Sequence, residues 1–160
     1  MLFSSKKEGS LEAPCTGRAI PLSEIPDEAF ASGMLGIGFG VVPTEGKILS
    51  PVDGRVEGIA EGKHAYTLVS DDGLDVLVHV GIDTVTLGGA AFSPRVSEGA
   101  RVRAGECLGT AELSAIREKG LNDTVVVLVT DPDRVEDARY EYGACRGGES
   151  HPMRFRIRRR

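Results

Sequence analysis

Cysteine, histidine and tryptophan are scarce in this chain. Its 160 residues include no Trp, three Cys and three His. Cys15, Cys107 and Cys145 are odd in number and widely spaced, which excludes a CxxC motif and a fully paired disulfide framework. We therefore expect three unreactive thiols in a protein of the reducing cytoplasm.

Long apolar runs are absent as well. No stretch approaches the roughly 18 consecutive apolar residues of a transmembrane helix, and residues 1–10 contain no apolar segment typical of a signal peptide. Hydrophobic residues make up 41% and charged residues 27% of the sequence, as in ordinary globular domains. We predict one domain over residues 13–160, preceded by a flexible segment at residues 1–12.

Negative charge predominates outside the last ten residues. The formal net charge is −5, but residues 151–160 hold five Arg and no acid, which leaves −10 on residues 1–150. An acidic body argues against nucleic acid as a partner. It favours a docking partner with a basic face.

Glycine, in contrast, is abundant. The 21 Gly are about twice the usual share of ~7%. Because Gly disfavours long helices and supplies tight turns, we predict an all-β fold of many short strands joined by tight turns. Two short helices are expected, at residues 26–31 with Asp27 as N-cap and at residues 114–119 with Gly120 as the stop.

A weak internal repeat accompanies the glycines. Residues 14–18 (PCTGR) return 37 positions later as residues 51–55 (PVDGR). Residues 102–106 (VRAGE) have an echo 43 positions later in residues 145–149 (CRGGE). The same order at similar offsets indicates two related β units packed together.

The arginine-rich end has a strand pattern. Met153, Phe155 and Ile157 alternate with arginines, which is typical of a strand with one buried face. An electrostatic arm for nucleic acid or anionic lipid is the alternative. We favour an edge strand whose solvent face is Arg, since charge on an edge strand prevents edge-to-edge pairing.

Two of the three histidines flank a predicted hairpin. His64 lies in residues 63–69 and His79 in residues 74–80, with the turn sequence SDDG at residues 70–73 between them. A four-residue loop pairs Val69 with Leu74 and therefore His64 with His79, with Cβ atoms ~4.5–5.5 Å apart on one face. A two-residue turn would keep both rings on that face, and a three-residue loop would separate them.

The surroundings of the second histidine are also predictable. The other face of its strand is apolar and should be buried; it carries Leu74, Val76, Val78 and Val80. Gly81 is expected to leave open space beside the His79 ring. The third histidine, His151, precedes Pro152 and is expected in a solvated loop.

Neighbouring imidazoles support three kinds of chemistry. One ring can act as a nucleophile while the other donates a hydrogen bond. The two can bind zinc if a third ligand is present. They can also act as an acid and a base.

The sequence around the second histidine resembles a known family. Residues 77–85 (LVHVGIDTV) are similar to the phosphorylation-site motif of the glucose-type enzyme IIA proteins of the bacterial phosphoenolpyruvate-dependent sugar phosphotransferase system. Residues 63–66 (KHAY) stand where that family has its second active-site histidine. The similarity continues through residues 51–54, 98–105 and 148–157, and covers roughly residues 13–158.

The resemblance implies a cytoplasmic phosphocarrier whose fold is an antiparallel β-sandwich built from a duplicated β unit. His79 would accept a phosphoryl group through Nε2 from the phosphohistidine of the carrier HPr, with His64 as a hydrogen-bond donor to that group. The phosphoryl group would then pass to a cysteine of an enzyme IIB or IIBC sugar permease during sugar uptake. The only group required would be the covalent phosphate on histidine. The implied partners also include regulatory target proteins, with membrane contact only through the permease.

The resemblance further implies docking residues. Asp83 would lie at the edge of the active site, with Gly81 beside it, and would contact an Arg of the carrier. Ile37 and Phe39 match a segment of the family's apolar docking surface. For these two residues, ordinary core is the alternative. The chain departs from the family at two positions. Ile37 stands where Asp is common, and Gly62 where Thr is common, which leaves the orientation of His64 less constrained.

Two other classes of function compete with this one. A zinc-dependent hydrolase of the lysostaphin type uses an HxH pair with a further His and Asp, but the sequence here is His79-Val80-Gly81. Zinc at His64 and His79 would therefore need a carboxylate from a partner. A non-enzymatic binding module of the lipoyl type would have Lys63 as its candidate modification site, but the Asp-Lys tip motif is absent.

Overall fold

Short antiparallel strands form most of the protein, whose computed structural model describes residues 6–158. Two short α-helices, α1 and α2, and three 3₁₀ turns lie between the strands. The elements in chain order are β1 (Lys6–Leu11), β2 (Gly17–Pro21), α1 (Glu28–Ala31), β3 (Ile37–Pro43), β4 (Lys47–Leu49), β5 (Gly54–Ile59), β6 (Ala65–Ser70), β7 (Asp75–Val80), β8 (Phe92–Pro94), β9 (Arg101–Val102), β10 (Cys107–Ala111), α2 (Leu113–Glu118), β11 (Val125–Val129), β12 (Val135–Tyr140), β13 (Gly143–Cys145) and β14 (Met153–Arg158).

The strands form one large and two small sheets. The large sheet has the order β13-β2-β3-β11-β7-β6-β5-β9, and the small sheets are β4-β10-β8 and β1-β14-β12. A main core takes buried side chains from all three sheets. A smaller cluster, which includes Phe30, Ile82 and Val126, lies on the other face of the large sheet under α1. The predicted antiparallel β-sandwich is confirmed.

Equivalent positions of the sequence repeat make equivalent contacts. The N–H of Gly105 donates to the carbonyl of Ser50 (2.8 Å), and the N–H of Gly148 donates to the carbonyl of Ala13 (3.1 Å). The two donors are 43 positions apart and the two acceptors 37, as in the sequence repeat. The two β units are therefore packed through matching contacts.

The first predicted helix is present with its predicted cap. The Asp27 carboxylate accepts hydrogen bonds from the N–H groups of Ala29 (3.0 Å) and Phe30 (3.2 Å), at the start of α1. These bonds satisfy two of the donors that a helix start leaves unpaired. The cap fixes where Phe30 enters the smaller cluster.

The second predicted helix is α2, which begins slightly earlier than expected. Its N-cap is Glu112 rather than Ser114, and the chain leaves the helix before Gly120, whose φ is +74°. None of the helices within residues 6–158 has the length and apolar character needed to cross a bilayer.

The arginine-rich segment is a strand, but it is not at an edge. In β14 the Met, Phe and Ile side chains are buried and the arginines are exposed, as predicted. The strand nevertheless lies in the middle of its sheet, between β1 and β12. Its arginines pair with acids of these neighbours, Arg156 with Glu8 (3.6 Å) and Arg158 with Glu136. The edge position was predicted wrongly because pairing with distant segments is invisible in a local pattern.

One of those neighbours falls in the segment expected to be flexible. Strand β1 pairs residue by residue with β14, from Lys6 opposite Arg158 to Leu11 opposite Met153. Leu11 is fully buried in the main core. From residue 6 onwards the expectation of a flexible segment is therefore corrected, and residues 1–5 lie outside the described residues.

Candidate active site

Two of the three histidines meet at one end of the large sheet. The ring centroids of His64 and His79 are 5.0 Å apart, with an edge-to-face angle of 78°. His79 is half-buried on β7, and His64 is buried just before β6. The predicted pairing of the two imidazoles is therefore present.

The register that brings them together differs from the predicted one. His79 lies opposite Ala65, and Ser70 faces Leu74 across a three-residue turn. Gly73 in this turn has φ +81°, a conformation typical of three-residue hairpin loops. Strict strand alternation would then place the two rings on opposite faces.

The backbone just before β6 departs from regular strand geometry. Lys63 adopts a left-handed conformation with φ +63°, which few residues other than Gly, Asn and Asp adopt. His64 follows it and precedes the first residue of the strand, so the alternation of β6 does not apply to its side chain. The carbonyl of His64 still accepts the N–H of Val80 (2.8 Å), which holds it against β7.

His79 has a defined hydrogen bond. Its Nδ1 lies 2.8 Å from the carbonyl oxygen of Gly81. A carbonyl only accepts, so Nδ1 carries the proton and the neutral ring has its lone pair on Nε2. Burial, and secondly the neighbouring His64, lower the pKa of His79, while the Gly81 carbonyl, Asp27 and Asp83 partly offset this lowering.

His64 has one nitrogen without a partner. Burial lowers the pKa of His64, and the nearby backbone of Gly62 offsets part of the lowering. Its Nδ1 is buried, and no group of the described residues makes a hydrogen bond of good geometry to it. A Cβ atom at Gly62 would lie 2.8 Å from Nδ1. A side chain at position 62 would thus touch this nitrogen, which here lies against the backbone of the glycine.

Two phenylalanines that were not predicted as site residues form the walls. Phe30 packs edge-on against His79 at 5.2 Å between centroids, and Phe92 lies 6.3 Å from His64. Phe30 belongs to the predicted first helix, which is the only sequence signal for either residue. The walls keep both imidazoles in a partly apolar setting, which accounts for the desolvation that lowers their pKa values.

Gly81 does not leave open space beside His79. Its φ is +79°, and a Cβ at this position would collide with the side chain of Thr84. The predicted opening is therefore wrong. What the glycine provides is a left-handed conformation that turns its own carbonyl toward His79. Asp83, with φ +59°, is exposed two residues further on.

Of the two predicted apolar docking residues, only Ile37 is partly accessible at the surface. Phe39 is fully buried in the main core, and Ile37 is half-buried against the same core. Docking by Phe39 is therefore excluded, and the alternative of ordinary core is correct for it. Among the described residues, the exposed aliphatic and Met side chains of large size are instead Met34 (76%), Leu35 (43%) and Val85 (58%).

These three side chains follow, along the chain, residues that contact or adjoin the histidines. Met34 and Leu35 follow the helix that carries Phe30, and Val85 follows Asp83, with a methyl 3.8 Å from where a Gly62 Cβ would be. We call Met34, Leu35 and Val85 the apolar rim. Sequence reasoning missed the apolar rim because one or two apolar residues in a turn look the same in the sequence whether they are covered or exposed.

A zinc centre is not assembled around the pair. Within residues 6–158 no group of three or more His, Cys, Asp or Glu side chains is placed to hold a metal ion. The third histidine is elsewhere, with His151 Nδ1 3.2 Å from the hydroxyl of Ser10. The ligand set of a zinc hydrolase is thus incomplete in the described part of the chain.

The lowered pKa values give a direct prediction. In an NMR titration, His64 and His79 should both protonate with midpoints below the ordinary value of 6.5, so both rings are neutral at pH 7. In urea both midpoints should return to about 6.5, because unfolding restores solvation of the charged form. A midpoint of His79 at or above 6.5 in the folded protein would contradict the desolvated site described above.

The chain resembles one family of known proteins over most of its length. The model of the family described as "phosphoenolpyruvate-dependent sugar phosphotransferase system, EIIA 1" matches residues 9–135. A glucose-specific EIIA component of Bacillus cereus is 35% identical over 158 residues, which are 98% of this chain and 96% of the relative. One of Oceanobacillus iheyensis is 36% identical over 133 residues, 83% of this chain and 81% of the relative.

A longer relative and a solved structure agree with this family. A glucose-specific EIICBA component of Streptococcus pneumoniae is 44% identical over 125 residues, 78% of this chain, but this chain spans only 17% of that protein. The solved structure of glucose permease IIA from Mycoplasma capricolum superposes with a TM-score of 0.84 at 28% identity, covering 96% of this chain and 99% of that one.

Proposed function

Because the chain belongs to the EIIA 1 family of the phosphoenolpyruvate-dependent sugar phosphotransferase system, we propose that it carries a phosphoryl group on Nε2 of His79. The donor is the phosphohistidine of HPr, and the acceptor is a cysteine of an enzyme IIB or IIBC sugar permease. The observation that carries the proposal is the hydrogen bond from His79 Nδ1 to the Gly81 carbonyl. This bond supports a neutral acceptor whose lone pair is on Nε2.

In the first step, the Nε2 lone pair of His79 attacks phosphorus. The new N–P bond forms as the N–P bond of the donor breaks, and the electron pair of the broken bond returns to the donor imidazole. Phosphoryl transfer of this kind needs mainly positioning and stabilisation of the equatorial oxygens. The lowered pKa of His79 supports this step, since a protonated ring has no lone pair to offer.

His64 has the supporting role. Its Nδ1 is buried against Gly62, which leaves Nε2 as the nitrogen that can donate a hydrogen bond to a phosphoryl oxygen on His79. The 5.0 Å between ring centroids brings the His64 ring within reach of a phosphoryl group on His79. In the second step the attacking cysteine thiolate forms an S–P bond, the N–P bond breaks, and the electron pair returns to His79.

The surface around the histidines suits proteins with a basic and apolar face. Asp83 is exposed beside Val85 of the apolar rim, and Asp27 is close enough to influence His79. We assign to Asp83 a contact with an arginine of HPr, and to the apolar rim the role expected of Phe39. One relative is a longer EIICBA component that contains the region similar to this chain. This similarity supports a permease as the acceptor.

Shortening the apolar rim should weaken docking without altering the chemistry. For Met34→Ala combined with Val85→Ala we expect KM for phospho-HPr to rise about tenfold, with kcat changed less than about twofold, since exposed apolar anchors contribute on the order of 1–2 kcal/mol. Tyr142→Ala is the control, because Tyr142 is an exposed aromatic (44%) outside the apolar rim. A kcat loss with unchanged KM would contradict the docking role.

The proposal is tested by reconstituting the relay. The protein is incubated with ³²P-labelled phosphoenolpyruvate, enzyme I and HPr, and the bound label is then exposed to acid and to base. We expect one labelled phosphate per chain, labile in acid and stable in base, as a phosphohistidine should be, with loss of label when an enzyme IIB domain is added. Failure to incorporate label, or a base-labile linkage, would refute the phosphocarrier proposal. No metal is required for this transfer, so labelling by phospho-HPr is expected to proceed at the same rate in the presence of a metal chelator.

Regulation of other proteins by phosphorylation state is compatible with the same site. The added phosphoryl group changes the charge of a surface that already carries Asp83 and the apolar rim. A target that docks there would distinguish the two states of His79.

A further inference from the structure

The turn after His79 has an unusual hydrogen-bonding arrangement. Two successive peptide groups, which join Val80 to Gly81 and Gly81 to Ile82, are each held at both ends. In the first, the hydroxyl of Thr84 donates to the carbonyl of Val80, and the N–H of Gly81 donates to the carbonyl of Thr124 (2.9 Å). The Val80 carbonyl is thereby satisfied at a buried strand end, since Thr84 is fully buried.

The second peptide group is the one that contacts the imidazole. The Gly81 carbonyl accepts a hydrogen bond from His79 Nδ1 (2.8 Å). The N–H of Ile82, at the other end of the same peptide group, donates to the carbonyl of Asn122 (2.9 Å). A peptide group is planar, with its C=O and N–H pointing in opposite directions. The bond to Asn122 at one end therefore fixes the direction of the carbonyl at the other.

The segment that supplies these acceptors is itself held in shape. The side-chain oxygen of Asn122 accepts the N–H of Thr124 (2.8 Å) across a local turn. Between them, the buried carboxylate of Asp123 pairs with Arg117 of α2 at 2.6 Å. Residues 122–124 thus present two carbonyls to the turn from a supported position.

We propose that Thr84 and Asn122 are positioning residues for His79: through the Gly81 carbonyl they keep the proton on Nδ1 and the lone pair on Nε2. The importance of this tautomer for activity rests on the proposed function, but the clamp itself does not. If the Gly81 carbonyl turned away, Nδ1–H would lose its acceptor and the preference between the two neutral tautomers would fall. The other tautomer has its proton on Nε2 and cannot attack phosphorus there.

Matched variants separate this role from a merely structural one. Thr84→Val removes the hydroxyl at nearly constant volume, and Thr84→Ser retains it. Asn122→Ala removes the side-chain acceptor of an exposed residue, and Asn122→Asp retains it. In each pair, loss of the polar group should loosen the turn, and its conservative replacement should not.

The first measurement is independent of phosphorylation. Ring ¹⁵N NMR of His79 at pH 8, where the ring is neutral, distinguishes a protonated from an unprotonated nitrogen. In the wild type, Thr84→Ser and Asn122→Asp, we expect Nδ1 protonated and Nε2 unprotonated. In Thr84→Val and Asn122→Ala the two shifts should move toward each other, with faster exchange of the Ile82 amide.

The second measurement is the labelling reaction. Thr84→Val and Asn122→Ala should lower kcat about tenfold with KM for phospho-HPr unchanged, less than the ~10²-fold that a misplacement of 1 Å can cost. Unchanged ¹⁵N shifts in a folded Asn122→Ala variant would overturn the clamp, and so would equal shifts in the Val and Ser variants at position 84. If Thr84→Val does not fold, the Asn122 pair decides. Absence of labelling in the wild type, with the tautomer shift present, would refute the phosphocarrier proposal and leave the clamp intact.

Discussion

Replacing His79 with alanine should abolish phosphorylation by phospho-HPr, lowering incorporation of label by at least about 10⁴-fold, to background. The reason is that Nε2 of His79 is the atom that bonds to phosphorus, and no neighbouring side chain can take its place. His64, 5.0 Å away between centroids, has the proposed role of hydrogen-bond donor to the phosphoryl group rather than of its acceptor. His79→Gln, which retains polarity without a nucleophilic lone pair, should behave like His79→Ala.

The control for this experiment is His151→Ala. His151 is the only other histidine outside the pair, and it contacts Ser10 rather than the site. It should label at the wild-type rate. Label retained by His79→Ala in a chain whose amide NMR spectrum shows the native fold would place the phosphoryl group elsewhere and refute the assignment.

The second large effect is expected from His64. In His64→Ala, transfer from the protein to the enzyme IIB cysteine should slow by about 10²–10³-fold, the usual cost of removing one preorganised hydrogen-bond donor from a charge-bearing transition state. Labelling by HPr should slow by less than about tenfold, because the Nε2 lone pair of His79 and its bond to the Gly81 carbonyl remain. Rapid-quench measurements of each half-reaction separate the two.

A conservative variant sharpens the assignment. His64→Gln carries N–H donors on a side chain that reaches nearly as far as the imidazole, so it should recover part of the lost rate of onward transfer. If His64→Gln does not recover onward transfer but added imidazole restores it in His64→Ala, a hydrogen-bond donor at this position is still indicated. Equal rates of onward transfer for His64→Ala and wild type would remove the role of His64.

Features encoded in local patterns could be predicted from the sequence. The alternation of Met153, Phe155 and Ile157 with arginines predicts one strand correctly, and Asp27 predicts a helix cap that is present. The resemblance of residues 77–85 to a phosphorylation-site motif agrees with the matching family. In each case neighbouring residues determine the structure, so a short window of sequence is sufficient.

Features that depend on backbone conformation or distant pairing could not be predicted. The hairpin register differs because Gly73 adopts a left-handed conformation and Ser70 faces Leu74. The two rings meet although this register separates them under strict alternation, and His64 follows Lys63, whose left-handed conformation its residue type disfavours. The prediction that the histidines are neighbours was therefore correct although the register used to derive it was wrong.

Burial was the other source of error. Phe39 and Met34 are both apolar residues near glycines, but the first is covered by the main core and the second is exposed at 76%. Which of them is covered depends on the packing of sheets whose strands are far apart in sequence. The pairing of β1 with β14 is of the same kind, because its partners are separated by almost the whole chain.

That pairing brings the two ends of the described chain side by side. Lys6 lies opposite Arg158 in an antiparallel ladder, whose strands are about 5 Å apart. A linker attached at either end would therefore leave the domain from nearly the same place. His79 would then lie at about the same distance from the attachment point in both cases. A short linker could also join the two ends, so that new termini could be introduced in another loop. The order of the segments along the polypeptide would then change while the fold that holds the histidines stayed the same.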